Sequence, residues 1–173
     1  GKHLAGISTE EGLPAYKTIF DVPGDIDLVH MVIANKYVPM AVDDCGKKGV
    51  KAIIINSAGF KEIGPEGEAI QNDFLKRAAK YGIRVFGPNC QGIINTDPEL
   101  NAYCNFTFTM PDPGFISIVA QSGGVGIFYL NLLASEGLGV AKVISVGNKL
   151  DVDENDLLEY LLADDETDIV VLY

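Results

Sequence analysis

The chain has 173 residues, a formal net charge of -11, 47% apolar residues and 21% charged residues. This balance is typical of a globular protein with an apolar core. The acidic charge argues against a nucleic-acid partner, which would require a basic surface. Three cysteines at unrelated spacings give neither a disulfide framework nor a zinc motif, so we expect a cytoplasmic protein without a metal site. Because no apolar run is long enough to cross a bilayer, we expect no membrane partner either.

Strands and helices alternate along the first half of the chain. Apolar runs and helical spacing predict strands over 27–34, 50–55 and 84–86, and helices over 37–48 and 65–81. His30 lies in the middle of the first strand, where we interpret it as a packed or edge residue rather than a ligand. Residues 87–92 follow as a loop with too few apolar residues to belong to the core.

The second half repeats the alternation after an irregular stretch. Residues 95–114 contain Pro98, Pro111 and Pro113 and no clear period, and residues 110–114 are the best candidate for a linker. Strands are then predicted over 115–120, 141–146 and 169–173, with helices over 124–136 and 154–162. The last strand has the composition of a buried one. Strands separated by helices indicate two α/β units with parallel sheets, both truncated.

The turn after the strand 115–120 is the most informative stretch of the chain. It reads Gln121-Ser122-Gly123-Gly124 and leads into a helix, an order that directs free N–H groups and the positive helix end at one point. The turn is therefore a candidate anion site. A second interpretation remains open at this stage: Ser122 only caps the helix, and the glycines only allow close packing.

The residues around this turn argue against two further interpretations of it. A hydrolase with Ser122 as its nucleophile requires a histidine later in the chain, but the histidines are His3 and His30. A dinucleotide fingerprint requires a third glycine where this chain has Tyr129, so NAD binding at the turn is not expected.

Three separated loops together resemble the NDP-forming acyl-CoA synthetases, which include the ADP-forming acetate–CoA ligases and the succinyl-CoA ligase α subunit. They read Gly87-Pro88-Asn89-Cys90-x-Gly92, Gln121-Ser122-Gly123-Gly124 and Gly147-Asn148-x-x-Asp151-Val152-Asp153, in this order. The segment Ala58-Gly59-Phe60 supports the resemblance. The family reversibly converts acyl-CoA, phosphate and ADP into acid, CoA and ATP through a phosphorylated histidine.

The resemblance implies two domains and two neighbouring sites. Residues 1–109 would be a CoA-binding Rossmann-like domain, and residues 110–173 the N-terminal part of a succinyl-CoA-ligase-like flavodoxin domain. The CoA site would comprise Ala34, Asn35 and Lys36 near the adenosine, with Ser57, Ala58, Gly59 and Phe60 along the pantetheine arm. The phosphohistidine environment would comprise Asn89, Cys90, Ser122, Gly123, Gly124, Gly147 and Asn148. Cys90 is equally well explained as a small buried thiol.

The chain also departs from the family pattern. The family's Gly-rich phosphate loop would lie before Gly1, and its phosphorylated histidine beyond Tyr173, so no catalytic residue is assigned and the chain alone is expected to be inactive. The resemblance implies an ATP-grasp subunit or domain as partner, ATP or ADP with magnesium in the complete enzyme, and an oligomer. We favour part of a working ligase. The alternatives are a CoA-sensing regulatory module, like those attached to protein lysine acetyltransferases, and a flavodoxin-type nucleotide-binding domain.

Overall fold

The computed structural model describes residues 12–173, and the first part of that range forms a three-stranded parallel sheet. Its strands are β1 (Leu28–Met31), β2 (Ala52–Ile55) and β3 (Arg84–Phe86), in that spatial order. Helices α1 (Val38–Lys48) and α2 (Pro65–Tyr81) connect them and pack on one face. The apolar face of α1 (Val38, Val42, Cys45) meets Ile53 and Ile55 of β2 in one core. Short 3-10 helices cover Ile19–Asp21, Asn35–Tyr37 and Lys61–Ile63.

The second sheet has five strands in the spatial order β5-β4-β7-β6-β8. Strands β6 (Pro113–Ala120), β7 (Val140–Ser145) and β8 (Ile169–Leu172) are parallel, and helices α3 (Gly123–Ser135) and α4 (Glu154–Leu162) connect them. Strands β4 (Gly92–Asn95) and β5 (Ala102–Asn105) form an antiparallel hairpin beside β7. Apolar residues of β6, β7 and α3 form the core of this unit.

Local signals place most elements close to their predicted positions. Helices α2 and α4 and strand β3 have the predicted bounds. Helix α2 begins at a proline and is followed by Gly82 in the left-handed conformation (φ 68°), which are ordinary start and stop signals. Strand β1 is shorter than predicted, because the chain leaves the sheet after Met31 and turns into the 3-10 helix that precedes α1.

Three predictions about the second half are wrong in part. Residues 95–114 are not irregular throughout, since β5 lies within them and pairs antiparallel with β4, so the second sheet is mixed rather than parallel. The predicted linker 110–114 includes the start of β6. The last strand is not buried: β8 is an edge strand, and Ile169 and Leu172 remain about half exposed.

Most of residues 87–92 are buried, although Asn89 is exposed and Gln91 is half-buried. Gly87, Pro88 and Cys90 are buried between the two sheets. The loop has few apolar side chains, yet it is buried because its backbone groups bond to neighbouring loops: Pro88 O accepts from Asn148 N at 2.9 Å and Gly87 O from Leu150 N at 3.3 Å.

The loop 87–91 joins the two sheets at a single edge. It leads from the carboxyl end of β3 into β4, which runs antiparallel to β7 and therefore starts beside the carboxyl end of β7. The carboxyl ends of β1–β3 and of β6 and β7 thus face one region, the usual ligand position in open α/β sheets. Within residues 12–173, no helix has both the length and the apolarity needed to cross a membrane.

Candidate functional site

The turn after β2 is held in shape by the loop that follows β1. The hydroxyl of Ser57 donates a hydrogen bond to the carbonyl of Ile33, and the side-chain amide of Asn35 donates to the carbonyl of Gly59. Gly59 has φ 96°, and an added Cβ would lie 2.8 Å from Asn35 Nδ2, so both the conformation and the close approach favour glycine. Two hydrogen bonds therefore tie the turn to the chain around the first predicted CoA segment.

The remaining predicted CoA-site residues divide into surface and anchor positions. Ala34, Lys36 and Ala58 are exposed at this edge, and Lys36 Nζ lies 5.0 Å from the centre of the Tyr37 ring. Phe60 differs, because its side chain is fully buried and packs edge-on against Phe74, with ring centres 5.2 Å apart. Phe60 therefore anchors the turn, whereas Lys36 offers a cation to an approaching anionic group.

The loop after β3 bonds directly to the turn after β2. Asn89 N donates to Ser57 O at 2.9 Å, and Asn56 Nδ2 donates to Cys90 O at 2.9 Å. Cys90 is 5% exposed, and burial raises the pKa of its thiol to about 11. The side chain is therefore a neutral thiol near pH 7 and not a thiolate nucleophile. This favours the interpretation of Cys90 as a small buried residue at the border of the site.

The loop after β7 closes on the loop after β3. Asn148 N donates to Pro88 O at 2.9 Å, and Asn89 Nδ2 approaches Asn148 Oδ1 at 3.4 Å. Gly147 has φ 55°, and an added Cβ would lie 2.4 Å from Pro88 O. Gln121 Nε2 donates to Gly147 O at 3.1 Å, which connects this loop to the turn after β6.

The start of α3 separates the two interpretations of the turn after β6. The Ser122 side chain makes no capping hydrogen bond, so the capping interpretation is wrong for this residue. Close packing does explain Gly123, where an added Cβ would lie 2.6 Å from Gln91 Cβ. Gly124 is exposed, and only Ser122 Oγ lies within 4 Å of its hypothetical Cβ. In the described part of the chain, the N–H groups of Gly123 and Gly124 have no acceptor, as expected at a helix start open to an anion.

Glu62 is a residue of this edge that the sequence analysis missed. Its Oε1 accepts a hydrogen bond from Gly59 N at 2.7 Å, and its Oε2 accepts from Asn148 Nδ2 at 3.3 Å. Partial burial raises the pKa of Glu62, but backbone N–H donors and the Asn148 amide outweigh burial and hold it below the ordinary 4.5. A single exposed glutamate after a turn carries no distinguishing sequence signal.

Six of these hydrogen bonds, together with the chain segment 33–35, form a ring at the edge where the sheets meet. The ring joins both predicted CoA segments to the predicted phosphate loops, through Ile33, Ser57, Asn89, Asn148, Glu62, Gly59 and Asn35. The groups left open at this edge are N–H donors, side-chain amides and one lysine, which suit a polar anionic ligand. The ring contains one carboxylate, that of Glu62, and no histidine of residues 12–173, since His30 lies within β1.

Two families match the chain in succession. Residues 5–96 match the family described as "CoA binding domain", and residues 113–173 match the "Succinyl-CoA ligase like flavodoxin domain". The first match covers more than half of the chain. The ring described above lies across both matched regions, with Asn148 in the second region and its other members in the first.

Named relatives and a solved structure agree with these matches. An ADP-forming acetate–CoA ligase of Methanocaldococcus jannaschii is 46% identical over 94% of this chain and 22% of its own length. An ADP-forming 4-hydroxybutyrate–CoA ligase of Nitrosopumilus maritimus is 38% identical over 92% of this chain and 23% of its own length. A solved structure is also similar: a dinucleotide-forming acetyl-coenzyme A synthetase of Korarchaeum cryptofilum in complex with phosphate and ADP. The TM-score is 0.85 at 34% sequence identity, and the match covers 95% of this chain and 35% of that chain.

The chain thus spans about a quarter of the length of the curated ligases just described. Nothing in these comparisons supports the regulatory alternative, since these relatives are named as ligases or synthetases. The two matched families follow one another in the order that the loop motifs predict. The chain belongs to the CoA binding domain family and, with the flavodoxin-like part joined to it, to the NDP-forming acyl-CoA synthetases.

Proposed function

We propose that this chain is the CoA-binding and phosphate-site part of an ADP-forming acyl-CoA ligase, which interconverts acyl-CoA, phosphate and ADP with acid, CoA and ATP. One observation carries the proposal: the ring of six hydrogen bonds joins the turn assigned to the pantetheine arm with the loops assigned to phosphate. The two ligands must meet in this reaction, because phosphate displaces CoA from the acyl group. A shared rigid edge holds the two binding segments at a fixed separation.

The described residues support binding and orientation rather than covalent chemistry. The Lys36 ammonium would attract a phosphate of CoA, and the turn Ser57–Gly59 would lie along the pantetheine arm. The free N–H groups of Gly123 and Gly124 would hold the transferred phosphoryl group, with Asn89 and Asn148 beside it. The phosphorylated histidine, the nucleotide and its magnesium would be supplied outside residues 12–173, in the complete enzyme.

The organisation of the complete protein is also a proposal. We retain the division into a CoA-binding domain over 1–109 and a flavodoxin-like domain over 110–173, although β4 and β5 pair with the strands of the second part. Relatives of Pyrococcus furiosus are named as α subunits, which supports an ATP-grasp partner and an oligomer for this protein. The three cysteines are free thiols, as is usual in the reducing cytoplasm.

Calorimetric titration with CoA tests the proposed site. Ala58 is exposed on the turn after β2 and makes no side-chain contact in the ring, so Ala58→Trp should block the pantetheine arm without unfolding the protein. We expect this variant to weaken CoA binding at least tenfold. The matched control is Ala134→Trp, which places the same bulk on the exposed face of α3, far along the helix from Gly123.

Equal CoA affinity in Ala58→Trp and the wild type would contradict the assigned arm position. Binding of FMN or NAD in place of CoA would contradict the function and favour the nucleotide-binding alternative. Inorganic phosphate, added as a competitor of acyl phosphate, provides a second probe at the start of α3.

A further inference from the structure

Two buried polar atoms of the first sheet lack a hydrogen bond of good geometry within residues 12–173. They are His30 Nε2 on β1 and Asn56 Oδ1, directly after β2. Asn56 is only 9% exposed. A buried polar group without a partner destabilises the fold, so native proteins seldom leave such groups unpaired.

The strand register places these two side chains on the same face of the sheet. His30 is paired with Ile54 across β1 and β2, and side chains alternate along a strand, so Ile54 and Asn56 both point to the face of His30. The Asn56 backbone N–H donates to Met31 O at 3.2 Å, which keeps the end of β2 beside β1. The His30 ring is covered by Phe106, with ring centres 6.1 Å apart.

The chemistry of the two atoms is complementary. Asn56 Nδ2 already donates to Cys90 O at 2.9 Å, and this fixes Oδ1 as the free end of the amide. An amide oxygen only accepts, so its partner must carry a proton. Burial lowers the pKa of His30, and the nearby Asn56 side chain partly opposes this, so the imidazole is neutral near pH 7. A neutral imidazole carries its proton on one nitrogen, and only the Nε2–H tautomer suits Asn56.

We propose that His30 Nε2–H donates to Asn56 Oδ1, and that the line from His30 through Asn56 to Cys90 O positions residues 87–92. His30 is then a positioning residue and not a catalytic one, because it acts through Asn56. The segment it holds contains Asn89, whose N–H bonds to Ser57 O, and Gln91, whose N–H bonds to Ser145 Oγ at 3.0 Å. This inference rests on the proposed function in one respect: that function places Asn89 and Cys90 at the border of the phosphate site.

Nitrogen-15 NMR of the imidazole tests the pair directly. At pH 7.5 and without CoA, we expect His30 to be protonated at Nε2 and unprotonated at Nδ1. His3 contributes a second imidazole signal, so the signal that is missing in the variant His30→Gln is assigned to His30. An Nδ1–H tautomer or a charged ring at this pH would overturn the proposal.

Amide hydrogen exchange tests the positioning role. His30→Leu removes the donor, and we expect exchange at the Asn89 and Gln91 amides to rise at least tenfold, while amides of β6 stay unchanged. His30→Gln should restore protection, because its Nε2 can reach the place of the imidazole Nε2. The matched control Ile54→Val removes a methylene on the same face without touching a polar group, and should leave both amides protected.

Two exchange results would overturn the positioning role. One is unchanged exchange in His30→Leu, and the other is an equal increase in Ile54→Val, which would identify lost packing as the cause. These measurements need no CoA, so a protein that fails to bind CoA contradicts the proposed function and leaves the test of the His30–Asn56 pair intact.

Discussion

At the scale of single residues, the candidate site depends on positions where the neighbouring backbone leaves no room for a larger side chain. Gly147 has φ 55°, and an added Cβ would lie 2.4 Å from Pro88 O and 2.7 Å from Asn89 O. Both contacts are with backbone, which cannot rotate away as a flexible side chain does. The loop after β7 therefore approaches residues 87–92 because position 147 carries no side chain.

We expect Gly147→Ala to lower the free energy of unfolding by about 2–4 kcal/mol. About 1 kcal/mol comes from the left-handed backbone, and the rest from displacement of a packed loop. Gly137→Ala is the control: φ is 69° there, but no atom lies within 4 Å of the added Cβ. This variant should therefore lose only the part of the unfolding free energy that comes from the left-handed backbone. Urea unfolding measures both, and equal losses in the two variants would show that the contact with Pro88 does not matter.

At the scale of elements, the two helices of the second unit begin in different ways. The Asp153 carboxylate accepts hydrogen bonds from Asn155 N at 2.8 Å and Asp156 N at 3.2 Å, and so caps α4. Ser122 occupies the same position before α3, yet its side chain caps nothing. One helix start is thus closed by its own side chain, whereas the other has no side-chain cap.

We expect Asp153→Ala to destabilise the protein by about 1 kcal/mol, the usual cost of a lost cap. Ser122→Ala should leave the free energy of unfolding nearly unchanged, but should weaken phosphate binding if the hydroxyl contacts the anion. Thermal unfolding with and without phosphate distinguishes the two effects. A stability loss in Ser122→Ala as large as that of Asp153→Ala would restore the capping interpretation.

At the scale of the whole molecule, hydrogen bonds across the shared edge couple the two sheets. Glu62 follows the turn after β2 and accepts a hydrogen bond from Asn148, which lies 86 positions further along the chain. The main chains also meet, with Val152 N donating to Val85 O at 3.2 Å. The turn proposed to bind CoA and the loops proposed to bind phosphate therefore occupy one connected structure, as the proposed reaction requires.

We expect Glu62→Gln to uncouple Asn148 from the turn, because an amide NH₂ cannot accept the Asn148 hydrogen bond. The wild-type contact depends on pH, because the folded-state pKa of Glu62 lies below 4.5. The contact is therefore complete above pH 4.5, and it is lost as the pH falls through the folded-state pKa. NMR shifts of the Gly59 amide and the Asn148 side chain, followed from pH 7 to pH 3, should titrate together in the wild type and not in Glu62→Gln. Independent titrations in the wild type would contradict the coupling.

The sequence by itself determined the alternation of strands and helices, the bounds of α2 and α4, and the family. These follow from short-range signals: apolar period, Pro65 and Gly82 at the ends of α2, the Asp153 cap, and three loop motifs in order. The grouping of those loops at one edge was also predictable in outline, because parallel strands bring their carboxyl ends together.

Only the tertiary structure decided the pairing of β4 and β5 with the second sheet, the burial of most of residues 87–92, the contacts of Glu62 and Asn56, and the position from which we propose a role for His30. Each depends on a contact between distant segments, and neither an exposed glutamate nor a histidine within an apolar strand shows its partner in the local pattern. The residues 87–92 show the reason most clearly. They are poor in apolar side chains, yet Gly87, Pro88 and Cys90 are buried, because hydrogen bonds from other loops satisfy their carbonyls.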